Sequence, residues 1–185
     1  MTLMVQRLSA QLSHINPHGR TLIVVAEHHG YTHAIARALA VRMRKAGQWV
    51  DVSDADGGAL PSPDGYDAVI LGAEARRHRD RRIIGDYVVT HRSALHQMPT
   101  GLFLLCDSAN ALRHIDEFET RVGWRARFAA AFTHGSLGFA RGLMRSVLHA
   151  LLCHLEGSVA DRGVKELTAL ADAMLTDLRK GRRRT

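Results

Sequence analysis

The stretch Thr21-Leu22-Ile23-Val24-Val25-Ala26-Glu27-His28-His29-Gly30-Tyr31-Thr32 decides the fold. Its first six residues are apolar and largely β-branched, which is how a short strand covered on both faces reads. A polar turn containing Gly30 follows. Ile35, Ala38, Leu39, Met43 and Ala46 then recur at helical spacing along one face, and Gly47 ends the helix. The unit is strand, glycine-containing turn, helix.

Working outward, the same alternation repeats. Trp49 to Val52 reads as a second strand, followed by a loop of Asp, Gly, Ser and Pro from Ser53 to Gly65. Asp67 to Gly72 is a buried strand. After an arginine-rich loop, Ile83, Ile84, Tyr87, Val88, His91 and Leu95 predict an amphipathic helix closed near Pro99. Gly101 to Cys106 is the fourth strand. The polar loop Asp107-Ser108-Ala109-Asn110 leads into a helix through Ile115, Phe118, Val122 and Arg125, and Phe128 to Thr133 is the fifth strand. Val164, Leu167, Leu170, Ala171, Met174, Leu175 and Leu178 mark a last helix. Five short apolar strands separated by helices predict a doubly wound α/β domain, because parallel strands need crossover connections and these are right-handed. Ligands of such sheets bind beyond the carboxyl ends of the strands. Three loops lie there: Glu27 to Thr32, Ala73 to Arg82, and Asp107 to Asn110.

Composition narrows the class. The 185 residues carry 25 basic and 18 acidic side chains, a formal net charge of +7, with 46% hydrophobic and 23% charged residues. This is globular usage, neither disordered nor fibrous. Cys106 and Cys153 stand far apart in apolar surroundings and form no CxxC motif, so a reducing compartment is expected. No stretch has the run of apolar residues and cleavage site of a secretory signal, and Gly142 to Leu155 is too short and too broken by Arg145, His149 and His154 to cross a membrane. The expected place is the cytoplasm, with the inner face of the cell membrane as a peripheral site.

The positive excess calls for an anionic partner. It gathers at Arg76, Arg77, Arg79, Arg81 and Arg82, and at Arg179, Lys180, Arg182, Arg183 and Arg184. Nucleic acid is disfavoured, since the few aromatic residues fall inside predicted elements and leave no stacking platform. The first loop joins a buried strand to a helix N-terminus, where free N–H groups and the positive end of the helix dipole favour an anion. Gly30 allows close approach, and Thr32 serves either as a helix-starting residue or as a hydroxyl donor to phosphate. Neither a Walker lysine nor a GxGxxG is present, which argues against a nucleoside triphosphate and a dinucleotide. No Ser/His/Asp arrangement, paired catalytic carboxylates or metal-ligand spacing is visible, so no catalytic residue is assigned and no metal is expected. Arg76, Arg77 and Arg79 read equally as anion ligands or as the solvated start of a helix.

The order of elements, Val25 to Thr32 as a phosphate loop, Tyr66 to Ala73 as a strand entering a flavin-ring loop, and the extra stretch from Gly135 to Gly157 together resemble the flavodoxin fold. The closer resemblance is to the flavodoxin-like protoporphyrinogen oxidase family that passes electrons to menaquinone. It spans Thr21 to Leu178. It implies a sheet order of 2-1-3-4-5 with helices on both faces, in a domain of residues 21–180 with an insertion at about 135–157. An N-terminal extension of residues 1–20 precedes it and a basic tail of residues 181–185 follows.

What this resemblance implies for function is an FMN-dependent oxidoreductase of haem biosynthesis. FMN would take hydride from a porphyrinogen and pass electrons to a quinone, while the protein supplies anchoring and electrostatics. By position, His28, His29, Gly30, Tyr31 and Thr32 fall at the phosphate. Ala73, Glu74, Ala75, Arg76 and Arg77 fall at the ring, and Asp107, Ser108, Ala109 and Asn110 at its far edge. The chain departs from flavodoxin phosphate loops in having Ala26, Glu27, His28 and His29 where hydroxyls are usual, and Glu27 repels a phosphate. The ring loop has no aromatic residue. Two alternatives follow: a flavodoxin-like domain that has lost flavin and serves as a binding or assembly module, and a flavin electron carrier. Residues 141–155, with Leu143, Met144, Val147, Leu148, Leu151, Leu152 and Leu155 beside Arg141 and Arg145, suit a membrane surface, a second copy of the chain or the core, and periodicity leaves the three open.

Overall fold

In the computed structural model, the described residues are 19–27, 29–55, 58–106, 111–133, 169–174 and 176. The strands are β1 (Arg20–Val25), β2 (Trp49–Asp54), β3 (Ala68–Glu74), β4 (Thr100–Cys106) and β5 (Phe128–Thr133). The helices are α1 (Tyr31–Lys45), α2 (His78–Thr90), α3 (Arg92–Gln97), α4 (Ala111–Val122) and a last segment, α5, within residues 169–176. The strands form one parallel sheet in the order β2-β1-β3-β4-β5, as the resemblance implies.

Both faces of the sheet are apolar because successive side chains of a strand point to opposite sides. Ile23, Val25, Ile70, Phe103 and Phe132 pack beneath α1 and α5 with Ile35, Leu39, Met43, Leu170 and Met174. On the other face Leu22, Val24, Leu71, Leu102 and Leu104 meet Ile84, Tyr87 and Val88 of α2, Leu95 of α3, and Ile115 and Phe118 of α4. Arg42 of α1 donates from Nη2 to both carboxylate oxygens of Asp172, each at 2.9 Å, and so pins α5 across the first layer.

Several boundaries differ from those read in the sequence. The helix expected from Ile83 begins at His78, so Arg79, Arg81 and Arg82 belong to α2 and the arginine-rich loop shrinks to Ala75–Arg77. The turn is closed by Arg77 N–H donating to the Glu74 carbonyl at 3.2 Å, and the helix opens when Arg81 N–H reaches Arg77. That helix stops at Thr90 instead of running through Leu95; the β-branched run Val88-Val89-Thr90 weakens it, and α3 resumes after His91. Helix α4 ends at Val122, short of Arg125. There Gly123 adopts φ 64°, its N–H donates to Thr120 and that of Trp124 to Glu119, while Trp124 is buried. This is the glycine-terminated helix end that closes the last carbonyls. The N-terminal extension before Gly19, His28, Asp107–Asn110, the insertion at 135–157 and the tail at 181–185 lie outside the described residues. Among the described residues, no helix is long and apolar enough to cross a membrane.

Candidate functional site

The carboxyl ends of β1 and β3 deliver the first two loops side by side. Ala26 N–H donates to the Gly72 carbonyl at 3.3 Å, and Ala75 N–H to the Leu105 carbonyl at 2.8 Å, so each loop leaves the sheet still tied to its neighbour. Gly30, with φ 95°, turns the first loop into α1, in the left-handed region where a side chain is strained. Its carbonyl accepts the N–H of Ala34 at 3.2 Å and opens the helix.

No side chain caps this helix, and its first turn, Tyr31 to Ala34, contains no acid. Instead, the Glu27 carboxylate stands over Gly30. A Cβ built on Gly30 would lie 2.7 Å from Glu27 Oε1 and 3.8 Å from Oε2. Thr32, the second helical residue, is completely buried, and its hydroxyl has no hydrogen-bond partner among the described residues.

Arg77 links the loops electrostatically. Its Nη1 pairs with Glu27 and its Nε with Glu74 Oε2 at 2.9 Å. The two carboxylates are 14% and 16% exposed, which limits screening, whereas the Arg77 side chain is 56% exposed and opens to solvent. Asp80, in the first turn of α2, completes the group: carboxylate oxygens of Glu27, Glu74 and Asp80 all lie within 4.8 Å of one another. Asp80 is 3% exposed, and its Oδ2 has no hydrogen-bond partner among the described residues. Burial raises its carboxyl above the ordinary range and outweighs the opposing pull of Arg77 and of its backbone hydrogen bond from Glu74. Three carboxylates at this separation resemble ligands for a cation, and the guanidinium of Arg77 already stands among them as one.

Of the residues singled out from sequence, the structure brings Gly30, Tyr31 and Thr32 together with Glu74 and Arg77 at one end of the sheet. His29 and Arg76 are exposed nearby. Ala73 and Ala75 are buried in the core beneath α2, so their side chains face away from any cleft. His28, Asp107, Ser108, Ala109 and Asn110 lie outside the described residues. Asp80 escaped the sequence reading because it sits in an arginine run whose pattern is that of a solvated helix start. Only its place in the first turn, where an acid complements the dipole, hints at it.

The flavodoxin domain family matches residues 22–141, nearly two thirds of the sequence, with most of β1 and the whole of β2 to β5. The chain belongs to the flavodoxin domain family. Its weaker likeness is to protoporphyrinogen IX dehydrogenase [quinone] of Escherichia coli strain K12, 29% identical over 84 residues, which is 45% of this chain and 46% of that protein. The same figures hold for the protein of strain O157:H7. The chain therefore spans about half the length of the curated relatives it matches. Among solved structures, a Streptococcus pneumoniae TIGR4 flavodoxin superposes with a TM-score of 0.50 at 17% identity, covering 85% of this chain and 98% of that one. Flavodoxin 1 of Bacillus cereus gives a TM-score of 0.41 at 19% identity, over 74% of this chain and 99% of that one.

Proposed function

We propose that this chain is an FMN-dependent oxidoreductase resembling the quinone-linked protoporphyrinogen IX dehydrogenases. The observation that carries the reading is the Thr32 hydroxyl, buried and without a partner among the described residues at the N-terminus of α1, which follows the first loop of a flavodoxin-domain chain. A buried hydroxyl without a partner costs about 1–3 kcal/mol, so its retention fits an acceptor that arrives with a ligand. Gly30 fits the same purpose, because its positive φ brings backbone N–H groups close to an anion without a side chain in the way. In this reading Gly30, Tyr31 and Thr32 hold the phosphate, residues 73–77 approach the ring through backbone and Arg77, and residues 107–110 meet its far edge. When bound, FMN would supply the chemistry of taking hydride from a porphyrinogen and passing the electrons on to a quinone. The chain's own contribution is positioning and charge: Arg76 and Arg77 offer guanidinium groups to a carboxylated substrate or an anionic reduced flavin.

One group opposes the phosphate. The Glu27 carboxylate against Gly30 favours a second reading, a flavodoxin-like module whose flavin binding is weakened or lost. Purification of the full chain, a search for the absorption of oxidised flavin, and titration of FMN into the apoprotein separate the two; no binding at saturating FMN leaves only the second. The apolar and basic residues 141–155 extend the first reading to a peripheral place at an anionic membrane near a quinone pool. Co-sedimentation with anionic but not neutral vesicles is the expected result, and equal recovery with both removes that extension.

A further inference from the structure

We infer that Glu27 sets the ligand specificity of the first loop: its carboxylate stands where a phosphate group would dock, so a phosphorylated ligand binds less tightly than it would beside an uncharged residue at that position. The inference rests on the reading that the cleft takes a flavin, and it names which flavin chemistry the loop resists. A helix N-terminus whose first turn contains no acid attracts an anion, and the nearest atoms to a Cβ on Gly30 are all those of the Glu27 carboxyl group. The chain thus supplies that anion itself.

The carboxylate is also clamped. Arg77 grips it with Nη1 while holding Glu74 through Nε at 2.9 Å, so removing Glu27 from its place breaks a link between the β1 and β3 loops. The clamp is shielded on the carboxylate side, where Glu27 and Glu74 are largely buried, so the charges remain effective at physiological salt. Yet the substitute is incomplete. The Thr32 hydroxyl is buried without a partner among the described residues, a polar group that Glu27 leaves unsatisfied and that a ligand with more oxygens could serve. An incoming phosphate meets this unused hydroxyl and the helix dipole on one side, and on the other a carboxylate of its own sign.

The test compares FMN with riboflavin, which differ only in the phosphate, by quenching of flavin fluorescence in the full chain and its Glu27→Gln and Arg77→Ala variants. Glutamine keeps the size of Glu27 and removes its charge. Glu27→Gln is expected to tighten FMN by about tenfold or more, with riboflavin changed by less than about twofold. Arg77→Ala, which leaves Glu27 charged and without the Arg77 counter-charge, is expected to weaken FMN further and spare riboflavin. Tightening of both flavins together, or of neither, overturns the inference. If neither flavin binds any form, the flavin reading fails and inorganic phosphate decides: thermal stabilisation of Glu27→Gln but not of the parent by phosphate upholds the role of Glu27, and equal responses overturn it.

Discussion

Gly72 of β3 stands in register with Val25 on one side and Phe103 on the other, and the Phe103 ring lies across it. A Cβ added there would come to 2.5 and 2.7 Å from Phe103 Cε1 and Cε2, and closer still to Cζ. Ordinary carbon contacts are about 3.5–4.0 Å, so the ring would have to retreat by about 1 Å or more. It has nowhere to go, being fully buried and edge-on to Phe132 with ring centroids 6.1 Å apart. Overpacking of a tight core costs roughly 1–3 kcal/mol, and the backbone route out of the clash displaces the Gly72 carbonyl from Ala26, at the root of the first loop. Gly72→Ala is therefore expected to cost about 2–3 kcal/mol by urea unfolding and to lower Tm by roughly 4–12 °C for a chain of this size. The decisive control is Phe103→Leu, which removes the clashing ring atoms: it should cost about 1–2 kcal/mol alone, yet make Gly72→Ala nearly neutral when combined. A Gly72→Ala variant within about 0.5 kcal/mol of the parent, or additive effects in the double variant, would refute the reasoning.

Thr32→Val removes, at constant shape, a buried hydroxyl that has no partner among the described residues, so the apoprotein should gain up to about 1 kcal/mol in thermal or urea melts while any FMN affinity falls about fivefold; a destabilised apoprotein would mean the hydroxyl is paired. Asp80 has its carboxyl raised by burial, so the unfolded chain gives up that proton first, and the fold loses stability as pH climbs from about 4 through the raised value. Asp80→Asn abolishes this component, and the advantage of the variant over the parent should widen across that window in urea melts at stepped pH; parallel curves would remove the assignment. Met174, fully buried at the junction of α5 with the sheet, should cost about 2–5 kcal/mol as Met174→Ala, whereas a loss below about 1 kcal/mol would show α5 to be loosely docked.

The fold was legible because its central strands β1, β3 and β4 are buried on both faces. Runs such as Ile70-Leu71 and Leu104-Leu105 have no polar side and cannot be edge strands of a half-exposed sheet, so the alternation with helices leaves little choice of architecture. Helix ends were less legible. His78 to Arg82 carries too few apolar residues to show a helical period, and its membership of α2 comes from backbone bonds at Glu74 and Arg77 that no pattern of side chains announces. The termination at Gly123 could have been read from the glycine itself, since it needs only a positive φ after the last turn.

The site divides along the same line. Gly30 and Thr32 are local signals, tied to a strand-turn-helix unit that the sequence spells out, and the structure places them at the helix start that this unit requires. The charge cluster is not local. Glu27 and Arg77 are 50 residues apart, and what brings them together is the crossover that sets β3 beside β1. That juxtaposition also changes what the basic composition means. Of the mid-chain arginines that a net charge of +7 offers to an anionic partner, Arg77 is engaged by two carboxylates of its own chain. The end of the sheet where a phosphate would dock therefore brings Glu27, Glu74 and Asp80 within 4.8 Å of one another beside the Arg77 guanidinium. A phosphate that enters there meets the Glu27 carboxylate and depends on Arg77 to offset its charge, and the phosphate-dependent difference between two otherwise identical flavins measures that opposition directly.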